Sequence, residues 1–217
     1  MIMAGLTKVS TVDFPGMLSA VIFVPGCNFD CFFCHNRHLL NLDYTPIQSG
    51  DVLDFLNRRR HLLDGVVISG GEPTIQVELT EMIAGIRRLG FRIKLDTNGT
   101  RPGLLANLIG SGLVDYVAID LKAPWSRYQE ICRCAPDEVA AVQKSFELLA
   151  GNSIEWEART TVIPQLSETD LQTMASSISP APHYFLQRYT RPAVFLPADR
   201  FRIESEACTP ARLILLK

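Results

Sequence analysis

The sequence predicts an α/β protein folded as a partial, open (β/α)6 barrel, and three observations lead there. Six short apolar segments alternate with amphipathic ones, polar clusters recur where the apolar segments end, and 217 residues fall short of the about 250 that eight units take. A chain that returns through a helix re-enters its sheet in the same direction, so the six strands pair in parallel with right-handed crossovers.

The first strand is predicted over 19–24 (SAVIFV), a β-branched run suited to burial on both faces; the segment 5–10 and a turn at Phe14-Pro15-Gly16 precede it, and Pro25-Gly26 ends it. A helix follows over 51–63, with Ser49 as its cap, Val52, Leu53, Phe55 and Leu56 on its apolar stripe, and Arg58, Arg59 and Arg60 exposed. Further strands are predicted over 66–69, 92–96, 116–121, 155–162 and 184–189. The helices between them cover 77–89, 102–109, 137–150 and 167–178, with Gly90 and Gly151 where C-caps would fall. Beyond Arg191 no pattern is legible, and no linker or repeat divides the chain, so one domain over 1–217 is expected.

A 47% hydrophobic composition can bury a substantial core without staples. The net charge of −2 offers no basic excess to draw nucleic acid or anionic lipid, so neither is expected as a partner. No apolar run approaches the roughly 20 residues of a membrane span, and nothing before Asp13 is laid out as a signal peptide. A cytoplasmic protein is expected, and in a reducing compartment six cysteines do not read as a disulfide framework.

Three of those cysteines, Cys27, Cys31 and Cys34, fall within eight residues on the loop after the first strand. Thiolates are soft ligands suited to zinc or to an iron-sulfur cluster, and spacing alone leaves both open. A structural zinc site wants four protein ligands, and His35, next to Cys34, cannot easily join the same tetrahedron. A cubane held by three cysteines leaves one iron vertex free.

Chemistry in parallel α/β folds gathers at the carboxyl ends of strands, and the polar clusters obey that rule. Gly70, Gly71 and Glu72 follow strand two; Asp96, Thr97 and Asn98 end strand three; Asp120 and Lys122 end strand four; Arg159 lies within strand five and Gln187 near the end of strand six. Other readings exist for each. A Gly-Gly pair is often only a tight turn, Phe33 and His35 could pack the loop, Asp120 and Lys122 could share a solvated face, and a strand arginine is often a surface ion pair.

The Cx3Cx2C loop with Phe33 before its last cysteine, followed by the GGEP turn, resembles the radical S-adenosylmethionine (SAM) superfamily. The resemblance implies one [4Fe-4S] cluster on Cys27, Cys31 and Cys34, whose open iron chelates SAM. It also implies Gly70, Gly71 and Glu72 at the methionine ammonium, and Phe33 and His35 beside the adenine. The stretches STVDFPG at 10–16, CHN at 34–36, DTNG at 96–99 and DLK at 120–122 are similar to glycyl-radical-enzyme activases, above all the short activating proteins of anaerobic ribonucleoside-triphosphate reductase. That likeness implies a monovalent cation on Asp96, Thr97 and Asp120, with Lys122 offsetting the SAM carboxylate and Arg159 brought to SAM at its carboxylate or ribose. It further implies a large glycyl radical enzyme as protein substrate and a flavodoxin or ferredoxin as reductant. Gln187 departs from pyruvate formate-lyase activating enzyme, which places a histidine there. A small-molecule radical SAM enzyme such as 7-carboxy-7-deazaguanine synthase, or a zinc-binding interaction module, are the competing readings. Cys132, Cys134 and Cys208 do not supply a four-thiolate set for a second cluster, and His38, His61 and His183 read as surface or packing residues.

Overall fold

The computed structural model describes residues 1–41, 43–178 and 181–204. The chain opens with β1 (Ile2–Met3) and β2 (Gly5–Ser10), then enters the first parallel strand, β3 (Ser19–Val24). A short α1 (Arg37–Leu40), β4 (Ile47–Gln48) and α2 (Ser49–Arg59) lead to β5 (Gly65–Gly70). The alternation continues through α3 (Leu79–Arg88), β6 (Arg92–Thr97), α4 (Pro102–Gly110), β7 (Tyr116–Asp120), α5 (Tyr128–Cys132), α6 (Pro136–Ala150), β8 (Glu155–Val162), α7 (Glu168–Ser177), β9 (Tyr184–Arg188) and α8 (Arg200–Glu204).

Six strands, β3, β5, β6, β7, β8 and β9, pair in parallel in chain order, as the alternation predicts. β2 adds an antiparallel edge on β3, and β1 pairs with β4 in a separate two-stranded ribbon. The seven-stranded sheet ends at β2 and β9 without closing, which is the open barrel. β1, β2, α1, β4 and α5 are elements the sequence reading did not assign; each is short, or half-exposed like β2, and shows little periodicity.

Local signals account for most boundaries. Ser167 caps α7, its hydroxyl accepting from Asp170 N–H while the Asp170 carboxylate returns the bond. Gly90 ends α3 with φ +94°, a conformation open to glycine. Ser49 is a correction: it is the first residue of α2, with Gln48 at the cap and no side-chain cap bond. Residues beyond 191 also carry structure, since α8 buries Ile203 against the core. Cys208 lies outside the described residues.

Phe14 plugs the lower end of the barrel, 1% exposed and packed with Val21, Val67 and Tyr116. A Cβ at Gly65 would sit 2.8 Å from the Phe14 ring, so that glycine makes room for the plug.

Candidate functional site

The carboxyl ends of the parallel strands surround a cavity of about 250 Å³. Cys27, Phe33, Cys31, Cys34 and His35 enter it from the loop after β3; Gly70, Gly71 and Glu72 from the turn after β5; Asp96, Thr97 and Asn98 from β6; Asp120 and Lys122 from β7; Arg159 from β8; Gln187 from β9. The structure thus brings every residue singled out by the sequence to one rim.

The cysteine loop is fixed from several sides. Arg37, 3% exposed, donates to Asp30 Oδ1 at 2.5 Å and to the Cys31 carbonyl at 3.1 Å. Asn36 donates to the Gly70 carbonyl at 2.8 Å, and Asn28 binds Thr100 at 3.0 Å and Glu138 at 2.7 Å. Asn98 donates to Asn28 Oδ1 at 2.9 Å, so the turn after β6 holds the loop as well. Burial pushes the Cys27 thiol up to about 12. The hydrogen bond from Cys132 lowers Cys31 against the opposing effect of burial, while burial raises Cys34.

Close backbone approach explains the paired glycines. Gly70 has φ +117°, and a Cβ there would lie 2.4 Å from Val24 N; one at Gly71 would lie 1.8 Å from the Gly26 carbonyl oxygen. Glycine is the residue that lets the two backbones meet. Glu72 N–H donates to Gly26 O at 2.8 Å, joining the turn to the start of the cysteine loop. The Glu72 carboxylate, 1% exposed, accepts from Thr74 N–H at 3.0 Å, Thr74 Oγ1 at 2.5 Å, Thr97 Oγ1 at 2.7 Å and Asn98 N–H at 2.6 Å. Burial lifts its titration despite those donors. Both oxygens are thereby committed to holding two turns together.

Charges alternate along the inner face. Lys122 Nζ donates to Asp120 at 2.9 Å, Arg159 bonds Asp120 at 3.1 Å and Asp96 at 3.2 Å, and Lys94 pairs with Asp96 at 3.2 Å and Glu157 at 3.4 Å. Lys94 also donates to Asp13 O at 2.6 Å, and Tyr116 donates to Glu157 at 2.8 Å. Burial alone would raise Asp120; Lys122 and Arg159 outweigh it and hold that carboxylate below its usual range. Lys94, Glu157 and Tyr116 were missed at the sequence level. Counting back by twos along the strand from Asp96, Asp120 and Arg159 reaches all three, because alternate residues share a face. Tyr128 was missed too, and its hydroxyl donates to Asp120 O at 3.2 Å.

Among the described residues no three His, Cys, Asp or Glu side chains converge as ligands of one ion. A cubane makes a different demand, since each thiolate binds its own iron, and three loop thiols lining one cavity meet it.

A family model of the radical SAM superfamily matches residues 21–178, and the chain belongs to that superfamily. It is therefore a radical SAM enzyme, for which a [4Fe-4S] cluster and SAM are the implied cofactors. The chain is 35% identical over 196 residues to a protein of Methanocaldococcus jannaschii provisionally named a glycyl-radical enzyme activating enzyme, covering 87% of this chain and 80% of that protein. It is also 35% identical over 91 residues to a 7-carboxy-7-deazaguanine synthase of Hyperthermus butylicus, covering 41% of this chain and 38% of that protein. SuiB of Streptococcus suis, crystallised with SAM, superposes with a TM-score of 0.66 at 14% identity over 86% of this chain and 44% of that chain, a likeness of fold. No helix among the described residues is long and apolar enough to cross a membrane.

Proposed function

We propose that the chain is a glycyl-radical-enzyme activating enzyme, and that its protein substrate is anaerobic ribonucleoside-triphosphate reductase. The observation that carries the activase reading is the likeness to the M. jannaschii protein, which spans 87% of this chain. The choice of reductase rests on the STVDFPG, CHN, DTNG and DLK stretches. Pyruvate formate-lyase is the less favoured partner, because Gln187 stands where its activase has a histidine.

In this reading Cys27, Cys31 and Cys34 hold the cluster. With an electron from a flavodoxin or ferredoxin, a bound cluster would supply the reductive SAM chemistry that removes hydrogen from the partner's glycine. The chain's own residues bind and orient. Gly70 and Gly71 leave room for the methionine end, Phe33 and His35 flank the adenine, Gln187 lines the β9 side, Lys122 offsets the SAM carboxylate, and Arg159 reaches the carboxylate or the ribose. Glu72, Thr97 and Asn98 act through the turns they join. A monovalent cation on Asp96, Thr97 and Asp120 belongs to the proposal; it would replace ion pairs those aspartates make with Arg159 and Lys122.

The test is anaerobic. Reconstituted protein is mixed with SAM, a reductant and the reductase, and electron paramagnetic resonance should show a glycyl radical doublet. SAM cleavage that depends on a small molecule and leaves no radical on the partner would favour the second reading, a small-molecule radical SAM enzyme. That reading is supported by the partial match to the synthase.

A further inference from the structure

Cys132 has no part in the reading above, yet the fold presses it against the cysteine loop. It is the last residue of α5 and fully buried. Two tethers dock its segment on the loop: Asp30 N–H donates to the Cys132 carbonyl at 3.0 Å, and Arg133 Nη1 donates to Asp30 Oδ2 at 3.2 Å. Arg133 adopts φ +51°, the non-glycine residue with positive φ among those described, and this left-handed turn separates the two neighbouring thiols. Cys134 turns to the Tyr128 carbonyl, 3.9 Å away, whereas Cys132, whose carbonyl is bonded to the residue before Cys31, stands where its thiol and that of Cys31 shift each other's ionisation. Cys31 lines the cavity, whereas Cys132, fully buried, does not. A small solute entering the cavity therefore meets Cys31 first, with a second thiol already in place.

We propose that Cys31 and Cys132 form a thiol-oxidation site: in the chain without its cluster, a peroxide joins them in a disulfide that withholds Cys31 from iron until a thiol reductant releases it. In the first step the Cys31 sulfur attacks one peroxide oxygen; an S–O bond forms, the O–O bond breaks, and the departing hydroxide takes a proton and leaves as water. In the second the Cys132 sulfur attacks the Cys31 sulfur; the S–S bond forms, the S–O bond breaks, and a second water leaves with the remaining proton. Two thiols lose two electrons and two protons, and one hydrogen peroxide becomes two waters. The consequence is protective, because a disulfide is reversible where sulfinic and sulfonic acids are not.

The experiment uses the full cluster-free chain with one equivalent of hydrogen peroxide, followed by alkylation of remaining thiols and mass spectrometry of a non-reduced tryptic digest. The expected product links the peptide YQEICR, residues 128–133, through Cys132 to Cys31, leaves Cys27, Cys34 and Cys134 alkylated, and disappears with dithiothreitol. A link from Cys31 to Cys27 or Cys34, or a fully alkylated Cys132, overturns the proposal. Cys132→Ala supplies a second readout. After peroxide and then dithiothreitol, wild type should regain its capacity to take up iron and sulfide, and the variant should regain several-fold less, with sulfinic acid at Cys31. Equal recovery in a variant whose circular dichroism matches wild type also overturns it. If that variant does not fold, the wild-type peptide map decides alone. Neither measurement uses SAM or a partner, so failure here and failure of the activase reading are distinguishable.

Discussion

Glu72 accepts the backbone N–H of Asn98 at 2.6 Å, which makes the turn after β5 and the turn after β6 one mechanical unit. Removing that acceptor strands donors from Thr74, Thr97 and Asn98 in a buried place. Glu72→Ala should destabilise the cluster-free protein by roughly 1–3 kcal/mol or more, the cost of leaving such groups without partners. Urea unfolding checks it, and a wild-type midpoint would show that the carboxylate holds nothing together.

Gly71→Ala should be far worse than Gly103→Ala. The first would place a Cβ 1.8 Å from the Gly26 carbonyl oxygen, whereas the second meets nothing within 4 Å. Gly103 lies in α4, where alanine stabilises by about 0.5–1 kcal/mol. Thermal melts should move in opposite directions, and two equal shifts would contradict the close approach.

Asp120→Ala should leave iron content near wild type and weaken SAM binding about tenfold or more, since a charged hydrogen-bond partner contributes about 1.5–3 kcal/mol. Lys122 and Arg159 both lose their shared carboxylate in this variant. Calorimetric titration of the reconstituted protein with SAM measures the change. Unaltered affinity would remove Asp120 from the cofactor's surroundings.

Cys27 gives a pH dependence with a definite sign. Its thiol keeps its proton up to about 12 in the folded chain and releases it from 9.0 when unfolded, so between these values the folded state binds more protons. The stability Cys27 contributes is complete below 9.0 and falls as pH rises toward 12. Urea midpoints of the cluster-free chain should decline less steeply with alkali in Cys27→Ser than in wild type, and parallel slopes would refute the assignment. Iron competes for the same proton position, so cluster loading should ease as pH rises.

Much of this was legible in the sequence. A buried parallel strand writes a continuous apolar run, so β3 falls on its predicted bounds, 19–24; β8, a more polar stretch, falls on its own, 155–162. Strand ends then located the rim, because the residues there are polar where the pattern leads one to expect apolar ones. What escaped was set by tertiary contact. Tyr128 and Cys132 lie on a five-residue helix too short to show periodicity, and Cys31, which Cys132 approaches, is remote in sequence. Lys94 and Glu157 escaped for another reason: a lysine or glutamate within a strand reads as a solvent-facing residue until its neighbours across the sheet are known.

The run Tyr116, Glu157, Lys94, Asp96, Arg159, Asp120, Lys122 has a consequence for how such an interior can diverge. Each member faces a neighbour of opposite character, so a lone exchange isolates an ion in a medium that solvates it poorly. Drift at these positions should proceed by compensated joint steps, with 94 changing alongside 157, or 159 alongside 96 and 120. Lineages descended from this chain would then carry either the whole alternating set or an apolar substitute for a complete pair.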